Sequence, residues 1–574
     1  MHCFATAVIA DTFLLDFRKC ASGKAVNAGI FEIEVLCWAL WRLQKYKKLG
    51  ICKVVRILRE KKSLIPLDFC EIRVYNNIKS RFSKSQLDIW GDVMFIGRKQ
   101  ELQFLNDRYN SKGGQLVVLY GRRRVGKTET LREFCKGKHH VFYSCREVSD
   151  KLQLKSFSEK LLWENIPAAS YVKEFADWET ALRSVNDLPY GDNKKLLVID
   201  EFPYMCKGNE SIPSVLQNLW DELLKDENVM IILCGSAMSF IEKELLAEKN
   251  PLYGRATGIY KMESMGFYDA VKFFPDYSER DKIIAYSILG GIPHYLRQFD
   301  PQLSLEDNIK KNILTKGCAL YSEVEFLLRQ ELRETPLYNS IIEAVALGNT
   351  KLNDISTKSL VEDTSKTSVY LKNLIELEII EREFSVDDGT KERANTNRGL
   401  YRLTDNFFRF WYAFVFTNYS ELEGGDVDGV FEYSIKPSLH EFASFAFEDV
   451  CREYIREQQK AGKLPFRYKN MGRWWGKTTV RRKDCIETAE TEIDLLAVSV
   501  KKDKYLVGEC KFKGRQFSYG EYLDTAAKLS FQKEKADFYY ILFSENGFDE
   551  KLTTEAERDE RIELVEIERV VGNK

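Results

Sequence analysis

The run Gly121-Arg122-Arg123-Arg124-Val125-Gly126-Lys127-Thr128 sets two glycines, a lysine and a threonine at the spacing GxxxxGK[ST]. Glycines there let backbone N–H groups converge on a phosphate, and a helix that starts at the lysine adds the positive end of its dipole. Lys127 can reach the β and γ oxygens of a nucleoside triphosphate, and the Thr128 hydroxyl suits Mg²⁺. Further on, the apolar run Leu196–Ile199 ends in Asp200-Glu201. In that setting Asp200 would hold Mg²⁺ and Glu201 would orient an attacking water. Another apolar run, Met230–Cys234, ends at Gly235-Ser236. Ser236 reads either as a polar sensor of the γ-phosphate or as a turn serine. Arg255, in Pro251-Leu252-Tyr253-Gly254-Arg255, reads either as an arginine finger against developing charge or as half of an ion pair.

A second constellation lies near the C-terminus. Asp494, in Glu492-Ile493-Asp494, is followed fifteen residues on by Glu509-Cys510-Lys511. Adjacent strands of a hairpin can bring Asp494 and Glu509 together, and Glu509 and Lys511 share a strand face. Two carboxylates and a lysine could hold a metal and activate water at a phosphodiester. Glu448, on a preceding helix, is a possible third acid. Acids and lysines are common, so the pattern also fits a domain that only binds. Arg473, Lys477, Arg481, Arg482 and Lys483, interleaved with Trp474 and Trp475, form a basic cluster. It reads either as a phosphate-contacting patch or as a solvated turn.

These groups need elements to position them. Gln115–Tyr120, Val141–Ser144, Leu196–Asp200 and Met230–Cys234 are short apolar runs, as expected of strands buried on both faces of a parallel sheet. Helical patterns lie between them, among them Glu101–Tyr109 and Ile212–Lys225, so βαβ units are predicted. Glu263–Gln298 reads as mostly helical. Leu337–Leu347, Lys351–Leu360 and Ser365–Leu377 read as three helices, followed by a hairpin at Ile379–Phe384 and Gly399–Leu403. Three helices and a hairpin make a winged helix. Its recognition helix would offer only Lys366, Thr367, Ser368 and Lys372 to DNA, which suits a protein-docking module as well. The aromatic run Asn406–Phe414 reads as interdomain core or as a base-stacking platform. A final α/β unit is predicted from a helix at Glu441–Gln458, strands at Glu492–Val498, Tyr505–Lys511 and Phe538–Phe543, and a helix near Glu521–Lys533.

The chain has 574 residues, enough for three or four domains, with 44% apolar and 30% charged residues. That composition excludes a disordered or collagenous chain. No apolar run approaches the ~18 residues of a membrane span, so no membrane partner is expected. Net charge is −1, but residues 1–93 hold 16 Lys/Arg against 9 Asp/Glu. Nucleic-acid binding would therefore rest on local patches. Thirteen Cys without CxxC spacing point to a reduced, cytoplasmic protein. Residues 1–93 carry no recognisable motif. They read as a small basic helical unit or as sequence upstream of a natural start at Met94.

Residues 94 to about 570 resemble the archaeal-type ATPase family within the AAA+/STAND group of P-loop NTPases. The resemblance rests on Phe95-Ile96-Gly97-Arg98, Gly121–Thr128, Leu196–Glu201, Gly235-Ser236, Pro251–Arg255 and Gly290–Leu296. It covers about 480 of the 574 residues. It implies ATP and Mg²⁺ as ligands, with Ile96-Gly97-Arg98 near the adenine and the whole run Gly121–Thr128, with Arg122, Arg123, Arg124 and Val125, around the nucleotide. It also implies a winged helix and a C-terminal domain similar to PD-(D/E)xK nucleases, although the first acid here follows isoleucine and not proline. The expected fold class is α/β: a P-loop NTPase parallel sheet (94–262) with a helical lid (263–334), a winged helix (335–415) and a small α/β PD-(D/E)xK-like domain (437–574). Two functions follow as expectations. One is an ATPase that couples nucleotide state to a nuclease-like, DNA-interacting domain. The other is a regulatory or scaffold ATPase whose C-terminal domain cuts nothing and binds a protein partner or a second copy.

Overall fold

A computed structural model describes residues 95–574 apart from 246, 362, 387–398, 483–484, 529–535 and 573–574. The first 94 residues, and with them both readings of that segment, lie outside the described residues. Helix α1 (Lys99–Asn110) leads into strand β1 (Gln115–Tyr120), helix α2 (Lys127–Cys135), β2 (His140–Ser144), α3 (Asp150–Leu162), β3 (Lys195–Asp200), α4 (Ile212–Leu219), β4 (Val229–Gly235) and β5 (Gly258–Lys261). The five strands form one all-parallel sheet in the order β2-β3-β4-β1-β5. Side chains alternate across a strand, so β1 feeds two cores. Val117 and Leu119 enter one together with Val198, and Leu116 and Val118 enter the other with Leu197 and Ile199. All of these are essentially inaccessible, and each stabilises the sheet by roughly 1.5–3 kcal/mol.

Strand β5 is not foreshadowed by an apolar run. It is a four-residue edge strand on which Ile259 is exposed, so nothing demanded a continuous hydrophobic stretch. The helix expected over Ile212–Lys225 stops at Leu219 and continues as a wider turn over Trp220–Leu224.

Helix α5 (Glu279–Leu289) and helix α6 (Glu323–Glu331) carry the chain away from the sheet. Helices α7 (Thr335–Ala346), α8 (Leu352–Lys358) and α9 (Thr364–Glu376) then pack on one another and on the hairpin of β6 (Ile380–Glu383) and β7 (Leu400–Leu403). The hairpin register runs from Ile380 opposite Leu403 to Glu383 opposite Leu400. In helix α10 (Asn406–Phe410) and the turn after it, Phe407, Phe408, Phe410, Trp411 and Tyr412 are all buried. The aromatic run is therefore core, and its rings are not available as a base-stacking platform.

The C-terminal unit opens with helix α11 (Leu439–Lys460). A second five-stranded sheet follows, in the order β12-β11-β10-β9-β8. Its strands are β8 (Tyr468–Arg482), β9 (Cys485–Ser499), β10 (Lys504–Lys511), β11 (Asp537–Ser544) and β12 (Ile562–Glu566). The β8–β9 and β9–β10 pairs are antiparallel, and the β10–β11 and β11–β12 pairs are parallel. Helices α12 (Tyr519–Ala527) and α13 (Glu550–Arg558) connect the parallel strands. The basic cluster, read as a phosphate-contacting patch or a solvated turn, lies within and just beyond β8, a 15-residue strand paired with β9, so the turn alternative does not hold for Arg473, Lys477, Arg481 and Arg482. Lys483 lies outside the described residues.

Helix α5 packs against both α10 and α11, which joins the lid to the last domain. Across this seam the Phe267 amide donates to Glu453 Oε2 at 2.8 Å, and the Tyr268 hydroxyl donates to the Val570 carbonyl at 3.0 Å. Among the described residues no helix is long and apolar enough to cross a membrane.

Candidate functional site

The loop between β1 and α2 is shaped by its glycines. A Cβ at Gly121 would stand 2.2 Å from the Met262 carbonyl oxygen, because the Met262 amide bonds to Tyr120 O across β5. Gly126 takes φ +93, a left-handed conformation that favours glycine, and delivers the chain into α2. The buried Lys127 ammonium donates to the carbonyls of Gly121 (2.8 Å) and Arg122 (2.9 Å). Burial lowers its pKa, and the nearby Cys234, Glu201 and Asp200 oppose that shift. The Thr128 hydroxyl donates to Asp200 Oδ2 at 2.8 Å, so the hydroxyl and the carboxylate at the end of β3 converge. That donor pair, a hydroxyl and a carboxylate side by side, fits a hard divalent cation such as Mg²⁺.

Glu201 follows Asp200 in the left-handed region, at φ +54, which costs about 1–3 kcal/mol for a non-glycine residue. The strained turn aims its carboxylate at Ser236, whose hydroxyl donates to both carboxylate oxygens at 3.0 and 2.9 Å. The ends of β3 and β4 thus place Glu201 and Ser236 as partners beside the loop. Phe95, Arg123, Lys127, Thr128, Glu201 and Pro293 help line a shared cavity of about 480 Å³.

Three sequence expectations are modified here. Arg98 lines this cavity, but its guanidinium is spent on the fold: it donates to Glu101 Oε1, the Glu263 carbonyl and the Val125 carbonyl at 2.6–2.8 Å. It braces the loop from behind, while Gly97, at φ +70, lets the chain pass Asp269. Arg122 does not line the cavity; its side chain is buried against Asp405 at 2.6 Å. Arg255 is not brought to the cavity within this chain. It forks onto Asp221, donating from Nε at 3.0 Å and from Nη2 at 2.6 Å, beside the opening end of β5. This is the ion-pair alternative.

The second constellation lies in the C-terminal sheet. The register that pairs Gly508 with Leu495, continued by one step, sets Glu509 opposite Asp494. Asp494 Oδ2 accepts from the Cys510 amide at 2.9 Å. Glu509 Oε1 accepts from Lys511 at 2.5 Å, and its Oε2 from Lys528 at 3.0 Å and from Thr525 at 3.3 Å. Burial pushes Asp494 up, helped by the charge of Glu509. Burial would also raise Glu509, but Lys511 and Lys528 outweigh it and hold that carboxyl low. Glu448, on α11, is pushed up to about 7 by burial and by Asp494, against the pull of Arg473 and Arg452, each 3.6 Å away.

The expected metal at Asp494 and Glu509 does not fit this arrangement. Both oxygens of Glu509 already accept from ammonium groups, and Asp494 spends one oxygen on a backbone amide. Among the described residues no group of three or more His, Cys, Asp and Glu side chains is arranged to hold a metal ion.

Comparison with known proteins bears on both regions. A family described as an ATPase domain predominantly from Archaea matches residues 95–299. A second, described as archaeal and bacterial proteins of unknown function, matches residues 411–522. An uncharacterised protein of Methanocaldococcus jannaschii is 33% identical over 421 residues, which is 73% of this chain and 88% of that protein. The chain belongs to this archaeal ATPase-domain family. An uncharacterised ATP-binding protein of the same organism is 48% identical over 50 residues, 9% of this chain and 85% of that one. A Walker-type ATPase of Pyrococcus abyssi is 21% identical, covers 55% of this chain and 96% of its own, and has a TM-score of 0.44.

Two residues stood outside every motif read from the sequence, Arg297 and Lys528. Arg297 lines the cavity beside His294, which belongs to the run Gly290–Leu296. A basic residue on a lid helix carries no signal of its own until the lid is folded over the loop. Lys528 completes the cations around Glu509, but a lysine at the end of a helix is among the commonest features of any sequence.

Proposed function

We propose that the protein binds and hydrolyses ATP between the phosphate loop and the lid, and passes the nucleotide state to its C-terminal α/β domain. The observation that carries this reading is the Thr128–Asp200 contact beside the Glu201–Ser236 pair, all on one cavity with Lys127. In this reading the loop amides and Lys127 hold the phosphates, and Thr128 and Asp200 are the cation ligands. A Mg²⁺ there would neutralise charge on the β and γ oxygens. Glu201 orients the attacking water once its carboxylate turns from Ser236, and Ser236 reads the γ-phosphate. Lys127→Ala should abolish ATP binding, whereas Glu201→Gln should keep binding and lose hydrolysis. Calorimetry and phosphate release separate the two, and equal hydrolysis in Glu201→Gln and the parent would remove Glu201 from the reading.

The C-terminal domain is proposed to meet DNA through Lys477 of the β8 basic cluster and the three-helix unit, in the manner of a winged helix joined to a PD-(D/E)xK-like domain. Asp494, Glu509 and Lys511 are the residues on which cutting would depend. A second reading is favoured by a specific observation: the lysines on both oxygens of Glu509 suit a domain that binds a partner and cuts nothing. Incubating plasmid DNA with the parent and with Asp494→Ala, with and without ATP, decides between them. Cleavage by the parent alone supports the nuclease reading. DNA binding without cleavage removes the nuclease reading and leaves a DNA-binding switch, and the absence of both binding and cleavage supports the second reading.

A further inference from the structure

Three consecutive arginines of the phosphate loop each end on an acid from outside the parallel-sheet domain. Arg122 pairs with Asp405, at the N-cap of α10. Arg123 pairs with Glu331 and Arg124 with Glu323, the last and first residues of α6. All three arginines lie inside the phosphate-loop run Gly121–Thr128, which the family resemblance places around the nucleotide. The structure divides them into two kinds.

Arg122 and Asp405 are sealed, their side chains 9% and 1% exposed, and Arg122 also lies over the Phe408 ring. Arg123 and Arg124 are 31% and 25% exposed, and both line the cavity that holds Lys127 and Thr128. Gln330, next to Glu331, lines it too, so the end of α6 reaches the cavity wall. Two further features mark these contacts as ones that can be exchanged. Arg124 is held in the left-handed region at φ +70, a strained conformation for a residue with a side chain. Glu331 stands in the last turn of its helix, where the helix dipole repels a carboxylate, so Arg123 is what holds it there.

We infer that Arg123 and Arg124 form a latch on α6 which a nucleotide polyphosphate opens by taking over both guanidiniums. The inference rests on the proposed ATP site. Phosphate oxygens and the carboxylates of Glu323 and Glu331 compete for the same two arginines, because a guanidinium fork donates to either. Arg122–Asp405 stays closed as the pivot. Helix α6 runs almost directly into α7, so its release frees the first element of the three-helix unit. Glu323 and Glu331 are positioning residues in this scheme: they touch the arginines and never the nucleotide.

The test uses the full chain with Glu331→Gln, and with Glu323→Gln added. Glu331→Gln changes a partly exposed side chain and should fold, which keeps the test valid if the double variant does not. Hydrogen exchange over residues 323–331 should rise about tenfold in the variants without any nucleotide. In the parent it should rise to a similar level on saturation with a non-hydrolysable ATP analogue and Mg²⁺. Affinity for that analogue should be about tenfold tighter in the double variant, because the competing carboxylates are gone. If the parent binds the analogue but exchange at 323–331 is unchanged by both nucleotide and substitution, the latch is wrong and the ATP site stands. If neither the parent nor Lys127→Ala binds the analogue, the ATP reading fails and the latch with it.

Discussion

Asp405 joins two structural tasks, and cutting either has a calculable cost. Its Oδ2 stands 2.6 Å from Arg122 in a nearly inaccessible pair. Its Oδ1 caps α10, accepting from the amides of Phe407 at 2.8 Å and Phe408 at 3.0 Å. Removing one partner of a buried ion pair leaves an uncompensated charge, which costs about 3–5 kcal/mol. Losing an N-cap adds about 1 kcal/mol. Asp405→Ala should therefore destabilise the fold by about 4–6 kcal/mol, while Asp405→Asn, which keeps an oxygen for the cap, should cost about 3–5 kcal/mol. Arg122→Met removes the other charge and keeps the apolar contact with Phe408. Combined with Asp405→Ala it should cost about 2–3 kcal/mol less than the sum of the two single changes, since no lone charge is left behind. Urea unfolding followed by tryptophan fluorescence measures these values. Trp411, whose Nε1 donates to the Tyr321 carbonyl at 2.8 Å, reports on this part of the core. A cost below about 1 kcal/mol for Asp405→Ala, or strict additivity in the double change, would refute the reasoning.

Ser236→Ala should leave nucleotide binding within about twofold of the parent and lower the hydrolysis rate by about tenfold or more, measured by phosphate release. Glu448 binds its proton more tightly in the fold, at about 7 against an ordinary 4.5, so the folded chain holds more protons than the unfolded one between those values. The Glu448 contribution to stability should therefore fall as pH rises from about 4.5 to about 7, by on the order of 3 kcal/mol, and be level above that; urea midpoints across the range should show less of this slope in Glu448→Gln. Lys528→Met should release Glu509 from one of its cations and raise the carboxyl pKa, visible as a new titration in ¹³C-carboxylate spectra, and no change there would remove Lys528 from the centre. Asp494→Ala should leave ATP hydrolysis unchanged, because the two constellations share no residue.

The parallel sheet was legible because each of its central strands is buried on both faces and so must be apolar along its whole length. The loop was legible because its chemistry is written within eight consecutive residues. What escaped had no local signature. Arg122 finds Asp405, and Arg123 and Arg124 find the ends of α6, only after the lid and the three-helix unit have folded back over the loop. Strand β8 carries arginine, lysine and threonine where a pattern search wants alternation with apolar residues, yet it pairs along 15 residues with β9. Arg255 read from the sequence either as an arginine finger or as half of an ion pair, and its partner in the pair, Asp221, is supplied by the turn after α4. Asp494 and Glu509 were picked out by spacing and alternation, whereas Lys528, which donates to Glu509, arrives from a different element and carried no signal in the sequence.

One long helix, α11, touches both the lid and the acid centre. Helix α11 is 22 residues long, about 33 Å of continuous backbone. Its Glu453 accepts from the Phe267 amide at the edge of the lid. On the same helix, Arg452 donates to the Asp494 carbonyl at 2.9 Å, and Asp449 pairs with Arg402 of the hairpin at 3.3 Å. The hairpin is in turn stitched to β8: the Val386 amide donates to the Arg473 carbonyl at 2.9 Å, and the Arg473 guanidinium stands 3.4 Å from Glu383 and 3.6 Å from Glu448. Arg473 therefore belongs at once to the hairpin and to the acid centre. A shift of the three-helix unit that draws the hairpin off β8 must also move Arg473 away from Glu448. The Glu448 carboxyl, already raised by burial, would then lose a cation and hold its proton more tightly still. Arg473 is one of the cations that oppose this rise in pKa, which burial and Asp494 drive, and the hairpin that holds Arg473 is followed, two residues after β7, by Asp405, the partner of Arg122.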